Sequence, residues 1–420
     1  MFETFRNMWR VKDLRTKIIY TIALLLVYRL AGVVPAPGVD LKMLASQMNQ
    51  INDLPLLGMM NMMTGGNFNN MTIMAMGIHP YINASIIMQL LTIAIPYLEN
   101  LQKQGDEGRK KINRITRYVT IVLAAVQAIG LVASLSLIKS GWFNYALVGI
   151  SMAGGTALAM WLGERITQNG VGNGISLLIF SGIMSNIFNG ISSGITGAMG
   201  GTDTWLSPAV ILLVLVVMIV VVTFVDKGER RFNVHYAKRV VGNRMMGGQS
   251  TQFPLKVNSS GVLPLIFAFS FIAFPGTILQ LAAPKSGAAA WWSTNMTGAQ
   301  PWHMAITFLL IIGFTYFYSS IGIDYREVAK NITKNGGTIT GVRGGKQTAD
   351  ALIRSNRRLT LFTALFLAIL STIPTLLTAQ FNIRIPFAAS SLLIGVSVAL
   401  ETTRQIEYEL LRHHHKGITR

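Results

Sequence analysis

Few residues in this chain have the types and spacing that catalysis or metal binding requires. The absence of cysteine excludes disulfides, thiolate metal ligands and cysteine nucleophiles. The glycine-rich run at residues 170–174 lacks a preceding strand and a following Lys-Ser or Lys-Thr pair, so it does not match a phosphate-binding loop. Three consecutive histidines, 413–415, are interpreted as part of a solvated basic tail. We therefore expect no catalytic residue, no metal and no cofactor.

The charged residues also argue against an ion-coupled carrier. All 17 acidic residues fall in loops or at the ends of apolar runs, whereas proton- and sodium-coupled transporters need a carboxylate near the middle of the membrane. Arg29 lies close enough to the end of its run to extend to the interface, and His79 is interpreted as a packed or interfacial side chain. A small-solute transporter therefore remains only as the alternative class of function.

Isoleucines at helical spacing are the more informative side chains. Ile82 and Ile86 stand four residues apart, as do Ile175 and Ile179, so each pair shares one face of a helix. Small and polar residues stand beside both pairs. Such neighbours indicate a wetter surface than lipid, but they also commonly bridge helices. Periodicity alone does not separate these two readings.

The elements that carry these residues are long apolar runs. The composition, 51% hydrophobic and 13% charged, is that of a membrane protein. Most runs reach the ~20 residues that a helix needs to cross the hydrocarbon core. The ten predicted spans are residues 18–34, 71–96, 118–138, 142–163, 174–198, 205–225, 261–283, 301–323, 359–381 and 385–400.

Basic residues indicate the orientation of these spans. Of the 36 Lys and Arg residues, only four, Lys42, Lys139, Lys285 and Arg384, fall in loops on one side of the predicted membrane. The positive-inside rule then places both termini and the long basic loops in the cytoplasm. The net charge of +19 is explained mainly by this topology and by attraction to anionic lipids, with ribosomal RNA as the alternative target.

Three segments do not fit plain spans. Residues 54–67 are apolar but too short to cross a bilayer, so they form either an external loop helix or a segment folded back into the protein. Residues 226–260 and 324–358 are long, basic and glycine-containing, which predicts hairpins that reach into the cytosol and dock a large partner.

Five sequence motifs each lie at a particular place in the predicted topology. They are residues 76–87, 104–111, 170–176, 236–239 with 249–251, and 254–258. Together they resemble the SecY family, the channel subunits of the bacterial Sec protein translocase. The similarity covers all ten spans.

The resemblance implies an all-α integral membrane protein whose ten transmembrane helices form two inverted five-helix halves around a central pore. The implied divisions are residues 1–17, 18–200, 201–403 and 404–420, a cytoplasmic segment, the two halves and a cytoplasmic basic tail. The family's apolar pore ring maps onto Ile82, Ile86, Ile175, Ile179, Ile266 and Ile394. A scaffold without a pore is the preferred interpretation if these six isoleucines do not converge on one axis.

The resemblance assigns further sites. Residues 54–67 become the plug, and Thr92 and Gln127 become polar residues of a lateral gate between the second and third spans and the seventh and eighth. The plug residues singled out are Leu54, Leu56, Leu57, Met59, Met60, Gly65 and Gly66. The residues expected to dock partners are Arg343, Lys238, Arg239, Arg244 and Lys256.

The implied partners are small SecE-like and SecG-like membrane subunits, the motor ATPase SecA, the ribosome, and client polypeptides that carry signal peptides. The implied location is the bacterial plasma membrane, with multiple passes and no enzymatic activity. One departure stands out, because residues 340–345 read Thr-Gly-Val-Arg-Gly-Gly where the family commonly has Pro-Gly-Ile-Arg-Pro-Gly.

Overall fold

Helices make up most of the described chain, and every predicted span contains one. The computed structural model describes residues 9, 11–39, 64–134, 141–199, 206–236, 239–241, 244–246, 250–261, 263–282, 286–296, 300–381 and 389–418. The helices in predicted spans are α1 (Lys12–Ala31), α2 (His79–Ala94), α4 (Asp106–Ser134), α5 (Trp142–Asn169), α6 (Gly174–Met199), α7 (Leu206–Lys227), α8 (Leu263–Ala282), α10 (Pro301–Gly322), α12 (Lys346–Phe381) and α13 (Ala389–Ile418). Three further helices are α3 (Pro96–Lys103), α9 (Gly287–Asn295) and α11 (Tyr325–Lys334).

The surface of the helical bundle is apolar, as lipid contact requires. By length and composition alone, four helices in the described part could cross a membrane, or five if the bent pair α2 and α3 is one span. Large aliphatic side chains face outward along the helices, including Leu213, Val220 and Leu309. Small hydroxyl residues such as Thr120 and Thr315 are buried instead, where they bond to carbonyls of their own helices. The fold is that of an all-α membrane protein.

The second predicted span departs from a continuous helix at both ends. Residues 71–78 are irregular, and α2 begins only at His79. Backbone bonds from Ala36 N to Met71 O and from Ile73 N to Val34 O tie this stretch to the chain after α1. Irregular backbone at membrane depth is tolerated where protein surrounds it.

The C-terminal end of this span is set by a proline. Ile95 is extended (φ −106°, ψ 114°) because the Pro96 ring disfavours a helical residue before it. The axes of α2 and α3 therefore meet at an angle of 98°. This bend directs α3 away from the line of α2.

The two predicted halves contact each other through a limited set of helices. Within the N-terminal half α4 packs on α5, and within the C-terminal half α10 packs on α12. Across the boundary α2 and α4 meet α8, and α6 meets α7 and α13. The main hydrophobic core lies at this boundary and contains residues of both halves.

Outside the spans, the two long loops combine into one unit, which we call the loop unit. The first loop forms the antiparallel hairpin of β1 (Glu229–Tyr236) and β4 (Ser250–Lys256), with the small pair β2 (Arg239–Val241) and β3 (Arg244–Met246) between them. The second loop contributes α11 and β5 (Gly337–Ile339), which pairs with the other edge of β1 to give the order β4-β1-β5.

The second loop is therefore not the separate hairpin that the sequence predicted. Its apolar residues need a partner surface, and β1 supplies one by alternating polar and apolar side chains. The core of the loop unit joins both loops to the first turns of α12. It consists of Val234, Leu255, Tyr325, Ile332, Ile339 and Leu352.

Candidate pore and lateral gate

The six isoleucines converge in one hydrophobic cluster. They come from four helices, two in each half: α2, α6, α8 and α13. Five of them, Ile82, Ile86, Ile179, Ile266 and Ile394, are at most 8% exposed, and Ile175 packs against the same cluster as a half-buried side chain. We call these six residues the isoleucine collar.

The glycine run before α6 explains how two collar residues are positioned. A Cβ at Gly174 would overlap the carbonyl oxygen of Gly163 in α5, so only glycine permits this approach of the two helices. Gly172 has a φ of +83°, which also favours glycine. The Asn173 Oδ1 accepts from Ile175 N at 3.1 Å and caps α6. The run is thus a helix-packing turn, in agreement with the rejection of a phosphate loop.

The collar is chemically inert, and this limits what it can do. Its side chains offer neither charge nor hydrogen-bonding groups, so they cannot hold a passing peptide or replace the hydration shell of an ion. A narrow ring of this kind resists water and ions while it lets side chains slide past. The chemistry fits a constriction better than a binding site.

The last residues of the predicted plug pack between α1 and α6. Gly65 and Gly66 have φ values of +74° and +90°, so the chain turns sharply there. The residues on either side, Thr64, Asn67 and Phe68, are buried. The other plug residues, Leu54, Leu56, Leu57, Met59 and Met60, lie outside the described residues.

The two predicted gate residues do not bridge the halves through any described bond. The Thr92 hydroxyl donates to Met88 O of its own helix at 2.6 Å. The Gln127 Oε1 is buried without a partner in the described part of the chain. Thr92 nevertheless lines a groove between α2, α4 and α10, with a volume of about 390 Å³. Ser85, Gln102, Arg109 and Asn113 supply other polar groups of this groove.

A different pair makes a polar contact between the two halves here. We call this boundary between α2 and α10 the seam. The Tyr318 hydroxyl on α10 donates to Gln89 Oε1 on α2 at 2.7 Å. The Tyr318 ring also packs edge-on against Phe267 of α8, with 4.8 Å between ring centroids. Gln89 is one of the polar residues near Ile86 in the sequence, whereas Tyr318 was not among the predicted site residues. An aromatic residue in an aromatic-rich span carries no local mark of such a contact.

The docking residues lie on the loop unit as far as they are described. Arg343 is exposed in the turn between β5 and α12. Its loop is held from both sides, because Thr348 Oγ1 donates to Arg343 O at 3.0 Å and Gly345 N donates to Thr333 Oγ1 at 3.1 Å. A groove of about 730 Å³ opens beside it. Its basic residues are Arg326, Lys330, Lys334 and Lys346.

The remaining docking residues belong to the first loop. Lys256 is exposed at the end of β4 and shares a groove with Arg404 of α13. Arg239 and Arg244 lie in β2 and β3, where Arg244 is opposite Val241. Lys238 lies outside the described residues. The basic surface is therefore distributed over both loops.

A buried polar network fastens the loop unit to the spans. The Tyr325 hydroxyl of α11 donates to Asn356 Oδ1 at 2.9 Å. Asn356 Nδ2 donates to Ser319 Oγ of α10 at 2.8 Å, and Ser319 shares a 2.6 Å bond with Thr360 of α12. Because the polar groups satisfy one another inside the protein, they hold α10, α11 and α12 in one arrangement. Ser319 stands next to the seam residue Tyr318.

The described residues indicate no other kind of functional site. They contain no group of three or more His, Asp or Glu side chains that could hold a metal ion. His79 is buried at the start of α2, next to Pro80. The described site is therefore an apolar collar, a lateral seam and a basic exposed surface.

Comparison with known proteins agrees with this geometry. The SecY family model matches residues 72–403. A protein translocase subunit SecY from Streptomyces coelicolor is 40% identical over 439 residues, which cover 100% of both chains. Another from Halalkalibacterium halodurans is 41% identical over 431 residues, covering 99% of each.

Two solved structures share the fold. One, of a SecY protein whose plug domain is described as stabilising the closed state, superposes with a TM-score of 0.67 at 21% identity, covering 94% of this chain and 92% of the other. Sec61 in the canine ribosome-channel complex gives a TM-score of 0.65 at 19% identity with the same coverage. From the family model and the full-length relatives together, the chain belongs to the SecY family of protein translocase subunits.

Proposed function

We propose that the isoleucine collar is the constriction of a protein-conducting channel. As a member of the SecY family the chain is a non-enzymatic subunit of a protein translocase. The observation that carries the assignment is the meeting of isoleucines from α2, α6, α8 and α13 in one buried cluster at the boundary of the two halves. An unfolded polypeptide passes through this boundary, and apolar client segments leave sideways into lipid. Energy comes from a partner.

Ion conductance of the channel in planar bilayers tests the collar. Replacement of Ile86, Ile179 and Ile266 by serine lets water wet the constriction, so the resting conductance rises severalfold. The matched control is Ile278→Ser, which alters an outward-facing isoleucine on the same helix as Ile266. Equal conductance of the collar variant and the control contradicts the assignment.

The gate and plug assignments complete the proposal. The lateral exit lies between α2 and α4 of one half and α8 and α10 of the other, beside Thr92, Gln127 and the Tyr318 to Gln89 bond. Residues 54–67 act as the plug that seats on the collar from outside. The buried positions of Thr64 and Asn67 support this, as does a SecY protein of the same fold whose plug domain stabilises the closed state of its channel.

The loop unit is the proposed docking surface for a SecA motor or a ribosome. Relatives of this fold have been solved in ribosome complexes, and here Arg343 is exposed above a basic groove. A guanidinium can fork onto a carboxylate or a phosphate. Arg343→Glu weakens SecA ATPase stimulation or ribosome binding severalfold, whereas Arg354→Glu, an equal charge change on the exposed face of α12, does not. Equal effects of the two variants reject Arg343 as the docking residue.

The remaining partners and the location follow from the family and the charge pattern. SecE-like and SecG-like subunits cover part of the apolar outer surface, and anionic lipids meet the basic loops. The channel lies in the bacterial plasma membrane with both termini in the cytoplasm. Co-purification of two small single-span subunits with the intact chain checks the composition of the complex.

A further inference from the structure

Arg29 is a cation whose donors are directed into the protein. It stands in the last turn of α1, where its Nε donates to Ser181 Oγ of α6 at 3.0 Å. Nη2 donates to Ser181 O, and Nη1 donates to Gly65 O at 3.4 Å. One guanidinium therefore joins three separate parts of the chain: α1, the middle of α6, and the turn at Gly65.

This turn, residues 64–67, fits closely between the two helices. A Cβ at Gly65 would come to 2.5 Å from Arg29 Nη1 and 2.9 Å from the Gly182 Cα. On the other side, a Cβ at Gly32 would lie 3.0 Å from Asn67 Cγ. The end of α1 and the face of α6 thus enclose the turn, and Arg29 supplies its polar contact on the α6 side.

Simpler roles for Arg29 explain less. A basic residue in the last turn of a helix interacts favourably with the helix dipole, but a lysine would do this equally well. A side chain that extended to the interface would leave its donors in water, whereas the Arg29 donors meet oxygens of α6 and the turn. The fork of a guanidinium can satisfy acceptors on two elements at once, and an ammonium cannot.

We propose that Arg29 is a positioning residue that fastens the turn at residues 64–67 to α6 at Ser181, two residues beyond the collar residue Ile179. The proposal rests on the proposed function in one respect, namely that this turn is the base of the plug. Removal of the guanidinium releases the turn from α6. The charge of Arg29 needs its acceptors at this depth, because an unpaired cation inside a membrane protein is costly.

Disulfide trapping tests the position of the turn directly. The chain has no native cysteine, so a Gly32→Cys, Asn67→Cys pair is the only thiol pair present. The close approach of a Gly32 Cβ to Asn67 suits the geometry of a disulfide. In reconstituted full-length channel this pair oxidises rapidly. Adding Arg29→Gln slows oxidation about tenfold, the effect expected from losing charge-assisted hydrogen bonds.

Matched variants keep the test decisive. Arg117→Gln removes an exposed arginine that pairs with Glu164 at 2.7 Å, and it leaves the oxidation rate unchanged. If Arg29→Gln does not accumulate in membranes, Gly65→Ala replaces it, because its methyl group displaces the guanidinium. Gly66→Ala is its control, since Gly66 also has a positive φ but its Cβ position has no neighbouring atom within 4 Å. Equal oxidation rates with and without the Arg29 or Gly65 change overturn the proposal.

Ion conductance separates this inference from the proposed function. Slower disulfide formation together with a higher resting conductance supports both the positioning role and the plug. Slower disulfide formation with unchanged conductance supports the positioning role and removes the plug assignment. Unchanged disulfide formation overturns the positioning role whatever the conductance is.

Discussion

At the scale of single residues, the seam between the halves depends on contacts that have no sequence motif. Tyr318 is a half-buried aromatic residue among many in α10, yet its hydroxyl reaches Gln89 on the opposite side of the seam. The bond is solvent-accessible, so its net contribution is small, about 0.5–1.5 kcal/mol. A contact of this strength suits the lateral gate proposed above, because it favours the closed arrangement without making opening costly.

Tyr318→Phe should loosen this seam without unfolding the protein. The ring contact with Phe267 is kept and only the hydroxyl is lost, so thermal stability should change by no more than about 1 kcal/mol. Lateral release of weakly apolar client segments should increase, because the closed state loses its cross-seam bond. The measurement is the membrane insertion of a graded leucine series of segments. Tyr316→Phe, on an exposed tyrosine of the same helix, is the control, and an identical insertion threshold for both variants contradicts the expectation.

At the scale of elements, glycines decide how closely the irregular stretch before α2 packs on its neighbours. Gly155 in α5 faces the chain at Ile73, and a Cβ there would overlap the Ile73 carbonyl oxygen. The adjacent Gly154 has no atom within 4 Å of its Cβ position. The irregular stretch at residues 71–78 therefore packs against α5 at a position where α5 has no side chain.

Gly155→Ala should destabilise the protein by about 1–3 kcal/mol or more, because the overlapping atom belongs to the backbone and cannot rotate away. Gly154→Ala should be neutral or stabilising by up to about 1 kcal/mol, since alanine favours a helix interior. Thermal inactivation of the detergent-solubilised channel, followed by size-exclusion chromatography, compares the two. Similar melting temperatures for both variants would show that the stretch does not pack on α5 as described.

At the scale of the whole molecule, the charged and apolar surfaces are segregated. The loop unit gathers basic residues from two loops that are far apart in the chain, and the network through Asn356 fastens it to α10. The collar lies at the boundary where α2, α6, α8 and α13 meet. The loop unit is thus connected by hydrogen bonds to α10, the helix that carries Tyr318.

Cysteine labelling should reveal the orientation of this arrangement. Gly344→Cys lies in the loop unit next to Arg343, and Gly287→Cys lies at the start of α9 on the predicted opposite side. Both positions have room for a side chain. A membrane-impermeant maleimide should label the Gly287 variant in spheroplasts and the Gly344 variant only in inverted vesicles. The reverse pattern would invert the topology derived from the basic residues.

The sequence by itself determined the class of protein and the presence of long apolar helices. These follow from composition, run length and charge, which are local sequence properties that govern insertion into a membrane. The six collar isoleucines were assigned through the family resemblance. Spacing alone showed only that Ile82 and Ile86 share one helix face, as do Ile175 and Ile179.

Only the tertiary structure decided which distant residues contact one another. The convergence of four helices on the collar, the sheet shared by two loops, the Tyr318 bond and the acceptors of Arg29 all join residues far apart in the chain. Such contacts depend on packing between helices, which periodicity does not encode. The irregular stretch before α2 also depends on distant residues. Backbone groups of residues 71–78 bond to Val34 and Ala36 instead of forming a helix.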